Sequence, residues 1–336
     1  MRIAVLFTKR DDIGQQYHSD WEGRDTNDDA ESVINALREL GHETIVYPVD
    51  LELFDKLRKD KDNIDMAFNL CDDGFFSDPE LEPHLPAMLD ILGINYTGSN
   101  YLSLALCLDK ARAKKILTYH DIPTPRFQVF REGNESLKKL LKFPLIVKPV
   151  HEDASIGIKD ESVVKDETGL REMVKQVIAE YKQPALAEEF IDGREFNVGI
   201  IGDKVQEVLP VSEIRFDGLP DDKPKIVNYS AKWKEDSIDY KATQRRCPAD
   251  IDEQLKKKLV SLALKSSKLM LCRDYFRVDF RLDKENNPFV LEVNPNPDIS
   301  EDAGLAAMAS VKGYSYKELI GKIVESALRR KHDNKK

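Results

Sequence analysis

The chain has 336 residues, of which 41% are hydrophobic and 33% are charged, and its formal net charge at pH 7 is -10. A chain of this length is too long for one ordinary hydrophobic core and predicts two or three domains. The negative net charge argues against a general nucleic-acid binder, because no basic field would attract the phosphates.

Signals for export and membrane insertion are not recognisable in the sequence. The apolar run at residues 2–7 is too short for a signal peptide, and no stretch approaches the roughly 20 apolar residues of a membrane span. Cys71, Cys107, Cys247 and Cys272 are far apart and lack the paired spacing of metal ligands. We therefore expect a cytoplasmic protein with buried, reduced cysteines and with neither membrane nor nucleic-acid partners.

Strand-like and helix-like segments alternate at the start of the chain and predict a parallel α/β domain over residues 1–108. The polar residues 8–28 lack the glycine pattern of a dinucleotide site. The predicted elements are strand 2–7, helix 29–40 ending at Gly41, strands 44–47 and 64–70, and helix 85–92.

Two further units are predicted at residues 109–191 and 192–330. The polar connector 151–157 has one glycine, so by itself it is a weak phosphate loop. Residues 215–248 form a long polar, irregular segment, which in a compact domain is usually functional or disordered. The predicted elements are helix 109–117, strands 127–130, 144–148 and 185–191, helix 170–181, strands 196–201 and 204–209 around a two-residue turn at Gly202-Asp203, helix 252–271, and a last helix whose capping box is Ser315 and Glu318.

A hairpin in the last third of the chain carries the strongest chemical signal. Two strand-like runs flank the turn-rich residues 283–288. If the hairpin is centred on this turn, Asp279 lies opposite Glu292 and Arg277 lies opposite Asn294.

This pairing predicts a metal site. Carboxylates opposed across a strand pair lie about 5 Å apart and destabilise each other unless a cation lies between them. Carboxylate and amide oxygens are hard ligands that suit Mg²⁺. We expect Asp279, Glu292 and Asn294 to bind the metal, and the alternative is a solvated hairpin face whose charges are screened by water.

Short motifs follow one another in a fixed order from residue 90 to 325. They are Tyr96-Thr-Gly-Ser99, Leu108-Asp-Lys110, Ile146-Val-Lys-Pro149, Glu188 with Glu195, Tyr229-Ser-Ala-Lys232, Cys247-Pro248, Arg277-Val-Asp279 and Leu291-Glu-Val-Asn294. The ordered set resembles the ATP-grasp superfamily and, within it, the D-alanine–D-alanine ligase family. The resemblance implies an α/β (α+β ATP-grasp) fold, in which the N-terminal parallel domain is followed by two α+β subdomains that clasp ATP.

The resemblance also implies which residues bind the nucleotide. Lys110, Lys148 and Lys232 would contact the ATP phosphates as point charges, although a lysine by default is a solvated charge. Glu188 and Glu195 would accept hydrogen bonds from the adenine amino group and the ribose hydroxyls. The adenine edge would be formed by Glu189, Phe190 and Ile191, and the phosphate lid by Ala154, Ser155 and Gly157.

The implied catalytic residues are Arg277 and Lys232, and Arg277 would bind the acyl oxygen of the tetrahedral intermediate. Two Mg²⁺ ions, or Mn²⁺, would be held by the three metal-binding residues named above. A glycine of the family, whose N–H helps hold the oxyanion, is replaced by Asp298. The Asp298 side chain would either favour a cationic amine or cap a short helix that starts near Ser300.

Nucleotide and metal positions of the family are kept, whereas positions that grip D-alanine are replaced. The first-loop signature is missing from residues 8–16, the second-loop motif is altered at residues 69–76, and a tyrosine becomes Trp233. This pattern predicts an ATP-dependent carboxylate–amine ligase that joins amino acids or small peptides through an acyl phosphate, with residues 151–157 and 215–248 as lids. The alternatives are authentic D-alanine–D-alanine ligation and a catalytically inactive nucleotide-binding regulator. The sequence leaves the oligomeric state open, with a homodimer as the candidate.

Overall fold

The protein is represented by a computed structural model that describes residues 1–8 and 26–333. Within these ranges the strands form three sheets. No helix there combines the length and apolar composition needed to cross a bilayer. Most of the polar segment predicted at residues 8–28, including the altered first loop, lies outside the described ranges.

The N-terminal sheet is parallel, as the alternating pattern predicts, with strand order β2-β1-β3. Both faces of β1 are covered: Ile3 and Val5 pack in one core, and Ala4 and Leu6 in another. Burial on both faces explains why β1 is continuously apolar. The elements are β1 (Arg2–Phe7), α1 (Thr26–Glu39), β2 (Glu43–Pro48), α2 (Leu53–Asp60), β3 (Met66–Asn69) and α3 (His84–Leu92).

A four-stranded antiparallel sheet follows, with strand order β4-β7-β5-β6. Before this sheet, Asp109 caps the N-terminus of helix Lys110–Tyr119 by accepting a hydrogen bond of 2.9 Å from the Arg112 N–H. The elements are α4 (Tyr101–Leu108), α5 (Lys110–Tyr119), β4 (Phe127–Phe130), β5 (Leu145–Pro149), β6 (Val163–Val164), α6 (Glu167–Tyr181) and β7 (Ala185–Glu189).

The third sheet has the strand order β11-β10-β8-β12-β13, and β9 also pairs with β8. The predicted capping box is confirmed, because Ser315 and Glu318 exchange hydrogen bonds at the start of the last helix. The elements are β8 (Glu195–Ile201), β9 (Glu207–Val208), β10 (Ser212–Arg215), α7 (Tyr229–Trp233), α8 (Ile238–Ala242), β11 (Gln244–Arg246), α9 (Glu253–Leu269), β12 (Tyr275–Leu282), β13 (Pro288–Asn294), α10 (Gly304–Lys312) and α11 (Tyr316–Asp333).

Two predictions in this region are wrong. The β8–β9 hairpin does not turn at Gly202-Asp203, because Ile201 pairs with Glu207 and leaves five residues in the connection. A side chain at Gly202 would collide with the Val205 carbonyl, so its glycine serves this wider turn. Residues 215–248 are not irregular throughout, since they contain α7, α8 and β11.

Two further findings refine the predicted organisation. The last helix, α11, returns to the N-terminal sheet, where Ile320 and Ile323 share a core with Ile3 and Val5. The predicted boundaries at residues 108 and 191 stay a prediction. All four cysteines are free, but Cys247 is only half-buried, so the expectation of burial is wrong for that residue.

Candidate active site

A cavity of about 650 Å³ lies where the four-stranded sheet faces the hairpin of β12 and β13. This volume is in the range of small-molecule sites. Lys110 and Gly157 do not line it, although Lys110 contacts a residue that does. The predicted residues that line it are Lys148, Ala154, Ser155, Glu188, Glu189, Phe190, Ile191, Glu195, Lys232, Arg277, Asp279, Glu292, Asn294 and Asp298.

The predicted register of the hairpin is confirmed at the site. Arg277 pairs with Asn294, and Asp279 pairs with Glu292. Directly beyond this pair the register shifts, and Phe280 pairs with Val290, so β13 carries one extra residue in a β-bulge. Beyond the bulge the two strands stay paired in the shifted register, and the four polar side chains of the two site pairs line the cavity.

Asp279 holds the guanidinium of Arg277 in a fixed orientation. The Nε and Nη2 atoms of Arg277 donate to the two carboxylate oxygens at 2.8 and 3.0 Å. Asn197 donates to the same carboxylate at 2.6 Å. Burial disfavours the charge on Arg277, but Asp279 outweighs it and raises the pKa of Arg277 above its ordinary value. The result is a cation whose planar fork is fixed before any substrate binds.

Lys110, the first residue of α5, supplies a second cation that faces the hairpin. Its Nζ lies 2.8 Å from Asp153 Oδ1 and 3.3 Å from Glu292 Oε1, and it also donates to the Glu152 carbonyl. Burial disfavours the charge on Glu292, but Lys110 and a hydrogen bond from Asp153 lower its pKa. Burial and the charge of Glu292 raise the pKa of Asp153. Sequence reasoning missed Asp153, which lies within the predicted lid 151–157 and lines the cavity.

The opposed carboxylates of the hairpin are therefore neutralised by side chains of the protein. No group of three or more acidic, His or Cys side chains within residues 1–8 and 26–333 is arranged to hold a metal ion. Asp279, Glu292 and Asn294 nevertheless place oxygen donors on one wall of the cavity. This donor chemistry fits Mg²⁺, and the metal site stays a prediction.

Glu188 lies between two lysines. Its carboxylate oxygens are 2.7 Å from Lys148 Nζ and 2.8 Å from Lys114 Nζ. Burial raises the pKa of a carboxyl group, but the two lysines outweigh it and lower the pKa of Glu188. Sequence reasoning missed Lys114, which is 1% exposed and follows Lys110 by one helical turn. The default assumption that a lysine is solvated is therefore wrong for both Lys110 and Lys114.

Glu195 is paired with Arg281, which sequence reasoning also missed. Nε and Nη2 of Arg281 donate to Glu195 Oε2 at 3.0 and 2.8 Å. The same guanidinium donates to the Ile191 carbonyl at 3.1 Å and lies 5.3 Å from the centre of the Phe190 ring. The sequence pattern that could have revealed Arg281 is the two-residue alternation of a strand, because it places Arg281 on the same face of β12 as Arg277 and Asp279.

The two predicted lids contact each other over the cavity. Trp233 Nε1 donates to the Ala154 carbonyl at 3.0 Å, and the Tyr229 N–H donates to the Ile158 carbonyl at 3.1 Å. Gly157 has a φ of +74°, and a Cβ there would lie 2.7 Å from Pro149, so a glycine is required at this position. Lys232 lies 5.0 Å from the centre of the Trp233 ring.

Asp298 lines the cavity while accepting hydrogen bonds from the N–H and the hydroxyl of Ser300. These are the bonds that the cap alternative predicts, but α10 begins at Gly304 and not near Ser300.

Another residue that sequence reasoning missed is Arg245, which lines the cavity and lies over Gly304. Its guanidinium donates to the Asp302 carbonyl at 3.3 Å, and burial and the charge of Arg277 lower the pKa of Arg245.

Comparisons with known proteins identify the family of the chain. A family model described as D-ala D-ala ligase C-terminus matches residues 116–325. The D-alanine–D-alanine ligase of Aquifex aeolicus is 35% identical, over 87% of this chain and 92% of that one. The uncharacterized protein y4sG of Sinorhizobium fredii is also 35% identical, over 99% of each chain.

Solved structures share the fold along the whole chain. A D-alanine–D-alanine ligase from Bacillus anthracis is 27% identical, with a TM-score of 0.77 and coverage of 99% of each chain. A structure of that ligase complexed with ATP is 24% identical, with a TM-score of 0.75 and the same coverage. The chain therefore belongs to the D-alanine–D-alanine ligase family of ATP-grasp, ATP-dependent ligases that form carbon–nitrogen bonds.

Proposed function

We propose that this protein activates a carboxylate as an acyl phosphate and joins it to the amine of an amino acid or small peptide, with release of ADP and phosphate. The observation that carries the proposal is the wall formed by Arg277, Asp279, Glu292 and Asn294. It faces a cavity that Lys148 also lines. Fixed cations and oxygen donors around one cavity are what phosphoryl transfer to a carboxylate requires.

Each residue has a role that its contacts support. Lys148 and Lys232 bind the phosphates of ATP as point charges. Asp279, Glu292 and Asn294 would hold two Mg²⁺ ions, or Mn²⁺, which would neutralise charge on the phosphates.

Arg277 binds the acyl oxygen, and because Asp279 fixes it with two hydrogen bonds it needs little reorganisation when negative charge develops. The N–H of Asp298 would assist at the same oxyanion.

In adenine and ribose recognition, Glu188 and Glu195 have a second role besides accepting hydrogen bonds from the nucleotide. Glu188 and Glu195 each already bind a cation, so they order Lys148 and Arg281 around the nucleotide in addition to accepting its donors. Phe190 packs on the base, next to the backbone of Glu189 and Ile191.

Exclusion of water is the task of the lids. An acyl phosphate hydrolyses when water reaches it, so residues 151–157 and 215–248 must close during turnover. The hydrogen bond from Trp233 to the Ala154 carbonyl joins these two segments and supports that role.

The substrates are proposed to differ from a pair of D-alanines, because the family positions that grip D-alanine are replaced in this chain. Because relatives of this chain are named D-alanine–D-alanine ligases, any panel of test substrates should include D-alanine. A homodimer stays a prediction.

The experiment is phosphate release from Mg-ATP in the presence of paired carboxylates and amines, followed by mass analysis of the products. The proposal expects release that depends on both partners and an amide product. ATP binding without stimulation by any pair would instead favour a nucleotide-binding regulator. Efficient formation of D-alanyl-D-alanine would replace the proposed substrates with D-alanine.

A further inference from the structure

Asn296 lies two residues beyond the predicted metal ligand Asn294 and is held by three hydrogen bonds. Its backbone N–H donates to Asn294 Oδ1 at 3.0 Å. Its side-chain Nδ2 donates to Glu82 Oε1 at 2.8 Å, and its Oδ1 accepts from the Tyr275 hydroxyl at 2.6 Å. Both polar ends of the Asn296 amide are thus fixed by side chains distant in the sequence.

Glu82 belongs to the N-terminal part of the chain, between β3 and α3. It is 6% exposed, and the segment that positions it is tightly built. Gly74 has a φ of +75°, and a side chain there would collide with the Asp78 carbonyl and crowd the Glu82 N–H. Thr8, directly after β1, donates to the Gly74 carbonyl at 3.0 Å. The end of the parallel sheet is therefore joined through Gly74 to the backbone of Glu82.

These contacts form a continuous path from the N-terminal sheet to the hairpin. Glu82 and Tyr275 fix the Asn296 side chain, and the Asn296 N–H fixes the oxygen of Asn294. An Asx-turn alone would explain the bond between Asn296 and Asn294. It would not explain why a buried carboxylate more than two hundred residues earlier binds the amide of Asn296.

We infer that Glu82 and Asn296 are positioning residues that orient the Asn294 side-chain oxygen for the divalent cation. The inference rests on the metal site of the proposed function. A side-chain amide at the end of a strand can rotate, and a fixed N–H on its oxygen selects one orientation. Outer partners of this kind usually change metal affinity or activity by about 10–100-fold when they are removed.

The test is the affinity for Mn²⁺ in the presence of ADP, measured from the electron paramagnetic resonance signal of free Mn²⁺. Glu82→Met and Asn296→Ala should each raise the Mn²⁺ dissociation constant by at least about 10-fold. Glu82→Gln keeps an acceptor oxygen for Asn296 Nδ2 and should retain the wild-type affinity. ADP affinity measured with the metal chelated should not change in any variant.

Asn287→Ala is the matched control. Asn287 lies in the turn of the same hairpin, where its side chain donates to Asp283 at 3.0 Å, away from the cavity. This variant should bind Mn²⁺ like the wild type even if it unfolds at a lower temperature. If either Glu82→Met or Asn296→Ala fails to fold, the other variant carries the test.

Three unfavourable outcomes can be told apart. Wild-type Mn²⁺ affinity in Glu82→Met and Asn296→Ala would overturn the inference and leave the metal site standing. If the wild-type protein with ADP binds no Mn²⁺ beyond what ADP alone binds, the metal assignment itself fails. A loss in Glu82→Gln equal to that in Glu82→Met would also contradict the inference, because the carboxylate and not its acceptor oxygen would then be required.

Discussion

The charge of Glu292 stands at the centre of the site, because it faces Lys110 and lines the cavity beside Arg277 and Asn294. Glu292→Gln keeps the shape and removes only the charge. We expect kcat to fall by at least about 100-fold, since a direct metal ligand matters more than an outer partner. The unfolding temperature should change little. Phosphate release and thermal unfolding measure the two effects, and wild-type turnover with Mg²⁺ would show that the metal assignment is wrong.

Lys148 is expected to act on the nucleotide and not on the amine. Its charge lies next to Glu188 and at the cavity wall, so Lys148→Ala removes a charge-assisted contact worth about 1.5–3 kcal/mol. The ATP dissociation constant should rise at least about 10-fold. Titration calorimetry with ATP measures it, and Lys139→Ala, an exposed lysine of the same region, is the control. Equal ATP affinity in the two variants would mean that Lys148 does not bind the nucleotide.

At the scale of the elements, we expect the contact between the proposed lids to govern how well water is excluded. Trp233→Phe keeps an aromatic ring beside Lys232 but removes the N–H that donates to Ala154. One such hydrogen bond contributes about 1 kcal/mol, so the ratio of ATP hydrolysis to amide formation should rise about fivefold. Tyr240→Phe, at another aromatic residue of the cavity wall, is the control. An unchanged ratio in Trp233→Phe would mean that this bond does not seal the site.

The start of the first lid carries a pH-dependent contact. His151 lies 2.6 Å from Glu80 and 3.6 Å from Asp109. The nearby carboxylate of Asp109 raises the pKa of His151 above its ordinary value of 6.5, the hydrogen bond with Glu80 adds to this, and burial opposes the shift.

A raised pKa in the folded state means that this stabilisation is complete below 6.5 and is lost as the pH rises through the folded value. Urea unfolding of His151→Ala should therefore show a larger deficit against the wild type at acidic pH than at pH well above that value. A deficit independent of pH would contradict the ion-pair assignment.

The hairpin shows what sequence can predict at this scale, because alternation of side chains and the length of the turn determine the register. The β-bulge after Asp279 was not predictable, since Leu291 looks like any other strand residue. The partners Lys114 and Arg281 were also out of reach. Their ion pairs join elements far apart in the sequence, and a charged residue without its partner resembles a solvated one. Gly202 and Asp203 are residues typical of a two-residue turn, but the connection is longer than predicted because β9 starts at Glu207 and not at Lys204.

At the scale of the whole molecule, the hairpin of the site is tied to the N-terminal part of the chain. Asp274, fully buried just before β12, accepts hydrogen bonds from the Gly98 N–H at 2.8 Å and the Ser326 hydroxyl at 2.7 Å, and also binds Arg330. Helix α11 is thereby held against both the site hairpin and the N-terminal sheet. This arrangement holds the hairpin wall of the cavity against the N-terminal part of the chain, and we expect the proposed lids to be the side that opens for substrates.

The central claim is that the carboxylate is activated by transfer of the terminal phosphoryl group of ATP. The most direct measurement uses a substrate whose carboxylate oxygens are both labelled with oxygen-18, in the pair of substrates that stimulates phosphate release. An acyl phosphate passes one carboxylate oxygen to phosphate when the amine attacks. We therefore expect one labelled oxygen in the released phosphate and one in the amide. Unlabelled phosphate released together with amide would contradict the account, because the carboxylate would then not have been phosphorylated.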